Sequence, residues 1–241
     1  MPNHVQNVIE PHGDENRIRR MLAEIQNDQY GPGTIDFNKI LPMPPDLNIE
    51  SGSRTRTGLE QYRAFLEVYT LCGTVNQAHL PDVPPEAEEA FLARRPDIDR
   101  ATFLLGKQAY RNEIQYGTAT WYEWCNRNWD TKWNAYGYED GAAADPGCIR
   151  FLTAWSAPLP ILQKLSERYP DVELYHAWAD EGLPDNCGAC TYLGGKIIEM
   201  YCPEGEEACA FAAQLWGSED AELYNELLDQ ETEPRMGGMT V

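Results

Sequence analysis

The sequence predicts an α+β fold in which two β-α-β halves are separated by a helical insertion. Short stretches near the start and in the last third alternate between apolar and polar residues, as strands do. The stretch between them follows a rhythm of three or four residues that is typical of helices, and it ends in a tryptophan-rich segment. At 241 residues the chain is long enough to bury a substantial core.

Residues 1–50 are predicted to form the first β-α-β half. Residues 5–10 alternate as a strand, and Asp14 is placed to cap the helix that follows. The apolar face of this helix comprises Ile18, Met21, Leu22 and Ile25. Residues 34–41 predict a second strand, which ends at Pro42 because proline lacks the backbone donor that a continuing strand needs.

Residues 51–136 are predicted to be a helical insertion that ends in the tryptophan-rich motif. Gly73 and Pro96 separate three helical segments, because glycine and proline interrupt helices. One apolar anchor of each segment is, in order, Leu59, Phe91 and Phe103.

Residues 137–202 are predicted to form a second half with the order β-α-β-β. Strands are expected at residues 148–155 and 172–178, with a helix opened by Pro158 between them. One or two further strands are expected over residues 190–201.

The two halves together predict a ferredoxin-like sandwich, an antiparallel sheet in the order 4-1-3-2 with helices on one face. In that topology residues 5–10 and 151–155 are neighbouring strands at the centre of the sheet. Residues 203–241 are predicted to add acidic helices with one docked apolar face, followed by a flexible tail.

The chain carries a formal net charge of −20, and residues 203–241 hold ten carboxylates against one base. This charge argues against a nucleic-acid-binding surface, because affinity for phosphates comes from clustered lysine and arginine. It fits either a well-solvated surface or one that attracts a basic partner by imitating the charge of DNA. The candidate residues of such an acidic surface are Glu219, Asp220, Glu222, Glu226 and Asp229.

Residues 121–136 hold four of the seven tryptophans of the chain. Indole is costly to expose, and its N–H needs a partner when it is buried. The segment is therefore either a structural joint between insertion and sheet or a recognition surface. The joint is the favoured interpretation, and Lys132 argues most strongly against it, since a joint has little use for a lysine between two indoles. The candidate partner- or ligand-binding residues are Asn128, Trp129, Lys132, Trp133 and Asn134.

A weaker catalytic candidate involves the second half of the chain. Asp180 and Glu181 follow a predicted strand that carries His176, and the first strand carries His4. Carboxylates and imidazoles can perform acid–base chemistry, provided that the two strands are neighbours in the sheet.

We expect no cofactor and no bound metal. A structural zinc site takes four ligands, and the C-x-x-C pair of Cys187 and Cys190 has no second pair. Seven cysteines at irregular spacings fit reduced thiols better than a disulfide framework. The start of the sequence lacks a signal-peptide pattern, and no segment has the length of a membrane span. We therefore expect a cytoplasmic protein.

Four motifs occur in the order found in a known family. They are Pro2-Asn3-His4-Val5-x-Asn7, Phe37-Asn38-Lys39-Ile40-Leu41-Pro42-Met43-Pro44, Tyr116-Gly117-x3-Trp121-Tyr122-x-Trp124-x3-Asn128-Trp129-x-Thr131-Lys132-Trp133-Asn134-Ala135-Tyr136 and Phe151-x-Thr153-Ala154-Trp155-Ser156-x-Pro158. Over residues 2–200 the chain resembles the YubB-like, or Api-type, proteins of bacterial plasmids and phages, which are described as carrying a ferredoxin-like domain. The resemblance implies that fold and a mobile-element setting, and it implies no catalytic residues.

The chain departs from the family pattern at Asp130, where we expect glycine in the family. Aspartate tolerates a left-handed turn better than most residues do. We therefore expect the loop to keep its shape and to gain a charge.

The expected function is that of a non-enzymatic, mobile-element-encoded protein that binds a host or element-encoded protein. An anti-defence version, in which carboxylates imitate DNA phosphates, predicts salt-sensitive association with a basic partner. The alternative is an enzyme or small-ligand-binding protein whose site lies between the tryptophan motif and Asp180 and Glu181. That alternative predicts loss of the ligand on Lys132→Ala, with little dependence on salt.

Overall fold

The computed structural model describes residues 3–69, 83–138, 147–182 and 186–217. The chain divides into two compact units. The first, here the sheet unit, comprises Met1–Pro42 and Asn128–Val241. The second, here the helical unit, is Met43–Arg127, so it begins and ends eight or nine residues before the insertion predicted from the sequence.

Within the part of the chain that the structure describes, five antiparallel strands form one sheet in the order β2-β1-β3-β4-β5. The strands are β1 His4–His12, β2 Ile149–Ala154, β3 Glu173–Asp180, β4 Cys187–Leu193 and β5 Lys196–Tyr201. The helices are α1 Glu15–Ile25, α2 Phe37–Ile40, α3 Ser53–Tyr69, α4 Pro85–Arg94, α5 Arg100–Tyr116, α6 Trp121–Asn128, α7 Leu159–Arg168 and α8 Gly205–Trp216. The predicted α+β class with an antiparallel sheet is confirmed.

The two faces of the sheet are covered by different helices. Directly opposed residues of neighbouring strands share a face, so Ile9 and His176, which are paired in the register, lie on one side. Helices α1, α2 and α7 cover that side, where the rings of Phe37 and Phe151 lie 6.0 Å apart. On the other side α8 packs through small buried residues, among them Ala212, against β3, β4 and β1.

The prediction of a strand at residues 34–41 was wrong, because this segment forms the short helix α2. Asp36 caps the helix by accepting a hydrogen bond from the Asn38 backbone N–H at 2.9 Å. The outer edge of β2 is instead paired at Leu152 with Tyr136, through two backbone hydrogen bonds of 2.8 and 3.1 Å. The predicted pairing of the first strand with residues 151–155 is confirmed, but β2 is an edge strand rather than a central one.

The helical unit is built on a close crossing of α3 and α5. A Cβ atom on Gly58 would lie 2.1 Å from the Thr102 carbonyl oxygen, so the two backbones approach too closely for any side chain. Aromatic residues pack beside this crossing, with the rings of Tyr62 and Phe103 5.4 Å apart. The unit therefore has its own apolar core.

Among the residues that the structure describes, no helix has both the length and the apolar character needed to cross a membrane.

Candidate functional site

Part of the tryptophan-rich motif has a structural role. Trp129 is 2% exposed, and its indole N–H donates to the Leu41 carbonyl oxygen at 2.9 Å. The Asn134 side chain accepts from the Phe37 backbone N–H at 2.8 Å and donates to Asp36 at 2.7 Å. These two candidate binding residues therefore hold the segment around α2 in place. Asn128 is half-buried at the end of α6.

Lys132 and Trp133 are placed differently, at the surface of the sheet unit. The Lys132 ammonium lies 4.5 Å from the centre of the Trp133 ring and 5.0 Å from the centre of the Trp155 ring. Trp155 follows β2 directly and is 39% exposed. We name these three residues the lysine–indole cluster. Indole faces attract a cation because the ring quadrupole is negative above the plane.

Unusual backbone conformations surround this cluster. In the described ranges, the non-glycine residues with positive φ are Asp130 at 61°, Trp155 at 77° and Asn186 at 53°. A left-handed conformation costs most residues roughly 1–2 kcal/mol. Aspartate and asparagine tolerate it, whereas a bulky tryptophan does not, so Trp155 is held in a strained backbone conformation. The left-handed turn expected at Asp130 is confirmed.

Hydrogen bonds hold these strained residues together. The Asn186 side chain donates to the Trp155 carbonyl oxygen at 2.9 Å, and the Trp155 N–H donates to the Asn3 carbonyl oxygen at 3.0 Å. Ser156 donates its hydroxyl to the Asp130 carbonyl oxygen at 2.6 Å. The backbone of Trp155 is thus fixed on both sides.

Thr131 fastens the cluster to the end of β2. Its hydroxyl donates to the Ala154 carbonyl oxygen at 2.9 Å and accepts from the Ala154 N–H at 3.1 Å. Thr131 is fully buried, so both bonds are shielded from water.

A histidine–tyrosine pair borders the cluster. His4 Nδ1 lies 2.5 Å from the Tyr136 hydroxyl, which donates to the Thr153 carbonyl oxygen at 3.2 Å. One consistent assignment has Nδ1–H donating to the hydroxyl, which leaves Nε2 as an acceptor. Burial, reinforced by the nearby Glu181 carboxylate, raises the pKa of Tyr136 to about 12. The ring of Trp133 meets that of Tyr136 edge-on at 6.2 Å.

The carboxylates predicted as candidates lie at the same end of the sheet. Glu181 accepts from the His4 backbone N–H at 3.0 Å. Asp180 is 7% exposed and accepts from the Asn3 side chain at 3.2 Å and from the Gly182 N–H at 2.8 Å. The structure therefore places Glu181 beside His4, whereas Asp180 pairs with Val5 in the register and lies on the opposite face of the sheet from His4.

His176 does not lie near His4 either, so the predicted set of His4, His176 and Asp180 is not assembled. In the register His176 faces Ile9, five residues from His4, which is about 17 Å along the strand. His176 is fully buried in the core, where its Nε2 lies 3.0 Å from the Asn7 side-chain oxygen. Burial lowers the pKa of His176 to about 3, so the ring is neutral at physiological pH.

Cys187 and Cys190 lie three residues apart on β4 and therefore point to opposite faces of the sheet. Cys190 is buried among the core residues, whereas the Cys187 thiol contacts the Ala208 carbonyl oxygen of α8 at 3.8 Å. Within the described ranges, no group of three or more histidine, cysteine or acidic side chains is arranged to hold a metal ion.

The candidate acidic surface at residues 219–229 lies outside the described residues. Sequence reasoning missed Trp155 and Asn186 as members of the site. Trp155 stands at the end of a predicted strand, just before Ser156 and Pro158, where an exposed indole is unusual. The position of this tryptophan at the end of the predicted strand was the sequence signal that could have identified it as a site residue.

The sheet unit defines the chain as an α+β protein of ferredoxin-like architecture with an aromatic surface at one end of the sheet. Residues 128–228 match a family model described as "Ferredoxin-like domain in Api92-like protein". The match begins at the residue where the sheet unit resumes after the helical unit, and it supports the Api-type resemblance over that region.

One solved structure is similar, a crystal structure of a protein api92 from Yersinia pseudotuberculosis. It shares 12% sequence identity and has a TM-score of 0.37, and the alignment covers 85% of this chain and 99% of that chain. The comparison with curated proteins gave no match.

Proposed function

We propose that this chain is a non-enzymatic binding protein that engages a partner protein through the lysine–indole cluster. The observation that carries the proposal is the strained, exposed Trp155, held at φ 77° by hydrogen bonds on both sides of its backbone. A protein retains such strain where geometry matters for function rather than for packing. Exposed aromatic residues beside a basic group are typical of protein recognition sites.

The neighbouring polar groups favour binding over catalysis. The Asp180 Oδ1 accepts hydrogen bonds from the Asn3 side chain and from the Gly182 backbone N–H, so this oxygen is already engaged in holding the structure. His176 lies in the core and cannot cooperate with His4. The groups that would form an acid–base pair are thus either separated or already bonded.

The proposal includes a cellular setting. The YubB-like motifs over residues 2–200 support a protein encoded by a plasmid or phage, acting in the cytoplasm on a host protein.

The partner is proposed to be basic. A net charge of −20 attracts positively charged proteins over a distance set by ionic strength. The carboxylates of residues 219–229 are proposed as a second binding element, whose charge imitates the phosphates of DNA toward a nucleic-acid-binding host enzyme. In this version the protein acts against host defence.

One observation favours the alternative of a small-ligand-binding protein or enzyme. His4, Tyr136 and Glu181 meet within one or two hydrogen bonds beside the lysine–indole cluster. The acceptor nitrogen of His4 and the Glu181 carboxylate, both beside the aromatic rings, can orient a small polar ligand. This alternative places the ligand on Lys132 itself.

A capture experiment tests the proposal. The protein is immobilised and exposed to nuclease-treated bacterial lysate at low and high salt, beside the variants Trp155→Ala and Tyr30→Ala. Both aromatic side chains are 39% exposed, so Tyr30→Ala controls for the loss of an exposed ring. We expect a basic protein to bind at low salt, to persist with Tyr30→Ala and to be lost with Trp155→Ala.

A third variant, in which the acids from Glu219 to Glu233 are neutralised, tests the second binding element. Loss of the same partner would support charge-directed binding. Capture that is equal for the wild type and Trp155→Ala would overturn the role of the cluster, and an empty capture at every salt would overturn protein binding in that host.

A further inference from the structure

Lys132 is held by aromatic rings and not by a carboxylate. The chain has 39 acidic residues against 19 lysines and arginines, so carboxylates that could form an ion pair with a lysine are plentiful. Of the five lysines, all within the described residues, Lys39, Lys107 and Lys164 form ion pairs, and Lys196 on β5 forms none there. Lys132 forms none in the described ranges, and its ammonium contacts the rings of Trp133 and Trp155 instead.

Two indoles that share one cation make a site of defined chemistry. Both ring centres lie within 5.0 Å of the ammonium, the distance at which cation–π attraction is effective. Such rings hold any cation on an alkyl stem, whether it comes from the same chain or from another. The attraction grows when the cation is partly shielded from water, and Lys132 and Trp133 are both half-buried.

We propose that Trp133 and Trp155 form a cage for a lysine or arginine side chain of a basic partner, and that Lys132 occupies this cage in the unbound protein. This inference rests on the proposed function and names the group that the surface recognises. Lys132 then acts as an internal competitor, which the partner's side chain displaces.

The cage keeps its shape when Lys132 leaves. The Trp155 backbone is fixed by the Asn3 carbonyl oxygen and by the Asn186 side chain, and neither bond involves the lysine. The loop that carries Trp133 is fastened to β2 by the two hydrogen bonds of Thr131. A site whose walls are already ordered loses little entropy on binding.

The charge of the chain supports a cationic occupant. At −20 the protein concentrates basic side chains near its surface and repels acidic ones. Lys132 carries the same type of charge as the proposed occupant, so displacement leaves the charge inside the cage unchanged. Displacing Lys132 also breaks no ion pair among the described residues.

The proposal makes a prediction opposite to that of a ligand that binds to the lysine. If Lys132 were the binding residue, Lys132→Ala would abolish binding. If Lys132 is the occupant, Lys132→Ala opens the cage. Removing a tethered competitor with two cation–π contacts is expected to tighten binding of an added cation roughly tenfold.

Choline is a suitable probe, and its neutral isostere 3,3-dimethylbutanol is the matched control. Binding is followed by NMR through the indole N–H signals of Trp133 and Trp155 in the full-length protein. We expect Lys132→Ala to bind choline roughly tenfold more tightly than the wild type, and the neutral isostere to bind neither protein. Lys132→Arg keeps a cation in the cage and is expected to behave as the wild type.

The double variant Lys132→Ala with Trp155→Ala is expected to lose the tighter choline binding of the single variant Lys132→Ala. Equal binding of choline and its isostere, or no gain with Lys132→Ala while its indole signals remain native, would overturn the cage.

The outcome separates this inference from the proposed function. In the capture experiment, Lys132→Ala should retain or increase the partner. If choline binding follows the cage pattern but no protein is captured, the cation site of Trp133 and Trp155 stands, and the proposed function fails together with the assignment of the occupant to a protein partner. If capture depends on Trp155 but choline binding does not change, the proposed function stands and the cage fails.

Discussion

The Asn186 side chain donates a hydrogen bond of 2.9 Å to the Trp155 carbonyl oxygen, and both residues have left-handed backbone conformations. Asn186 precedes β4 and Trp155 follows β2. The bond therefore joins two chain segments from non-adjacent strands of the sheet. It fixes the orientation of an exposed indole at the cost of strain in the backbone.

The strain at Trp155 is measurable by substitution. Trp155→Gly and Trp155→Ala both remove the indole, but only glycine adopts a φ of 77° without steric cost. We expect the glycine variant to be more stable than the alanine variant by about 1 kcal/mol in urea unfolding. Equal stabilities would mean that the backbone relaxes and that no strain is stored there.

Thr131 provides a test of how the loop is attached to the sheet. Thr131→Val replaces the hydroxyl with a methyl group of similar shape, and leaves the N–H and carbonyl oxygen of Ala154 without this partner. The free energy of unfolding is expected to fall by about 2–3 kcal/mol, because buried polar groups lose their hydrogen bond. Thr131→Ser keeps the hydroxyl and is expected to lose about 1 kcal/mol or less. A valine variant as stable as the serine variant would contradict the assigned role.

The close crossing of α3 and α5 depends on Gly58. Gly58→Ala places a Cβ atom 2.1 Å from the Thr102 carbonyl oxygen, which is backbone and cannot move aside. We expect a loss of about 3 kcal/mol or more and a partial opening of the helical unit in hydrogen exchange. Gly52→Ala is the control, since its Cβ would meet only a Glu50 side-chain oxygen at 3.9 Å, and its effect is expected to stay within about 0.5 kcal/mol.

His176 makes stability depend on pH. Burial lowers the pKa of His176 from 6.5 to about 3, so between these values the unfolded chain binds a proton that the folded protein does not. The stabilising contribution is complete above pH 6.5 and is lost as the pH falls toward 3, by roughly 1 kcal/mol per pH unit.

His176→Gln removes this titration and retains an amide donor for the Asn7 side-chain oxygen. The difference in unfolding free energy between the wild type and His176→Gln is expected to change with that slope between pH 6.5 and 4. Carboxylates titrate in both proteins, so they cancel in the difference. A constant difference across this range would contradict a neutral, buried His176.

Local patterns in the sequence were sufficient for most secondary structure. Asp14 caps α1 by accepting from the Arg17 N–H at 3.0 Å, as expected from its position before an amphipathic run. The pairing of the first strand with residues 151–155 was also predictable, because both stretches have strand periodicity and lie in complementary halves. The cap and the strand periodicity depend on neighbours along the chain, and the pairing followed from the expected ferredoxin-like topology.

The segment at residues 34–41 shows why other features were not predictable. Its short run of apolar residues fits either a strand or one helical turn. The choice was made by distant partners, since Asn134 accepts a hydrogen bond from the Phe37 N–H and Tyr138 accepts one from the Ile35 N–H. Contacts across about a hundred residues are not visible in a local pattern.

The sequence by itself determined the fold class and the extents of most elements, and it singled out the tryptophan-rich motif, because periodicity, capping and indole density are properties of neighbouring residues. Only the tertiary structure decided which tryptophans are structural and which face solvent. In the structure Trp155 contacts Lys132 because hydrogen bonds anchor both loops. His176 lies far from His4 because the strand register pairs it with Ile9. A site formed by four separate chain segments is defined by their packing, and packing is a property of the whole fold.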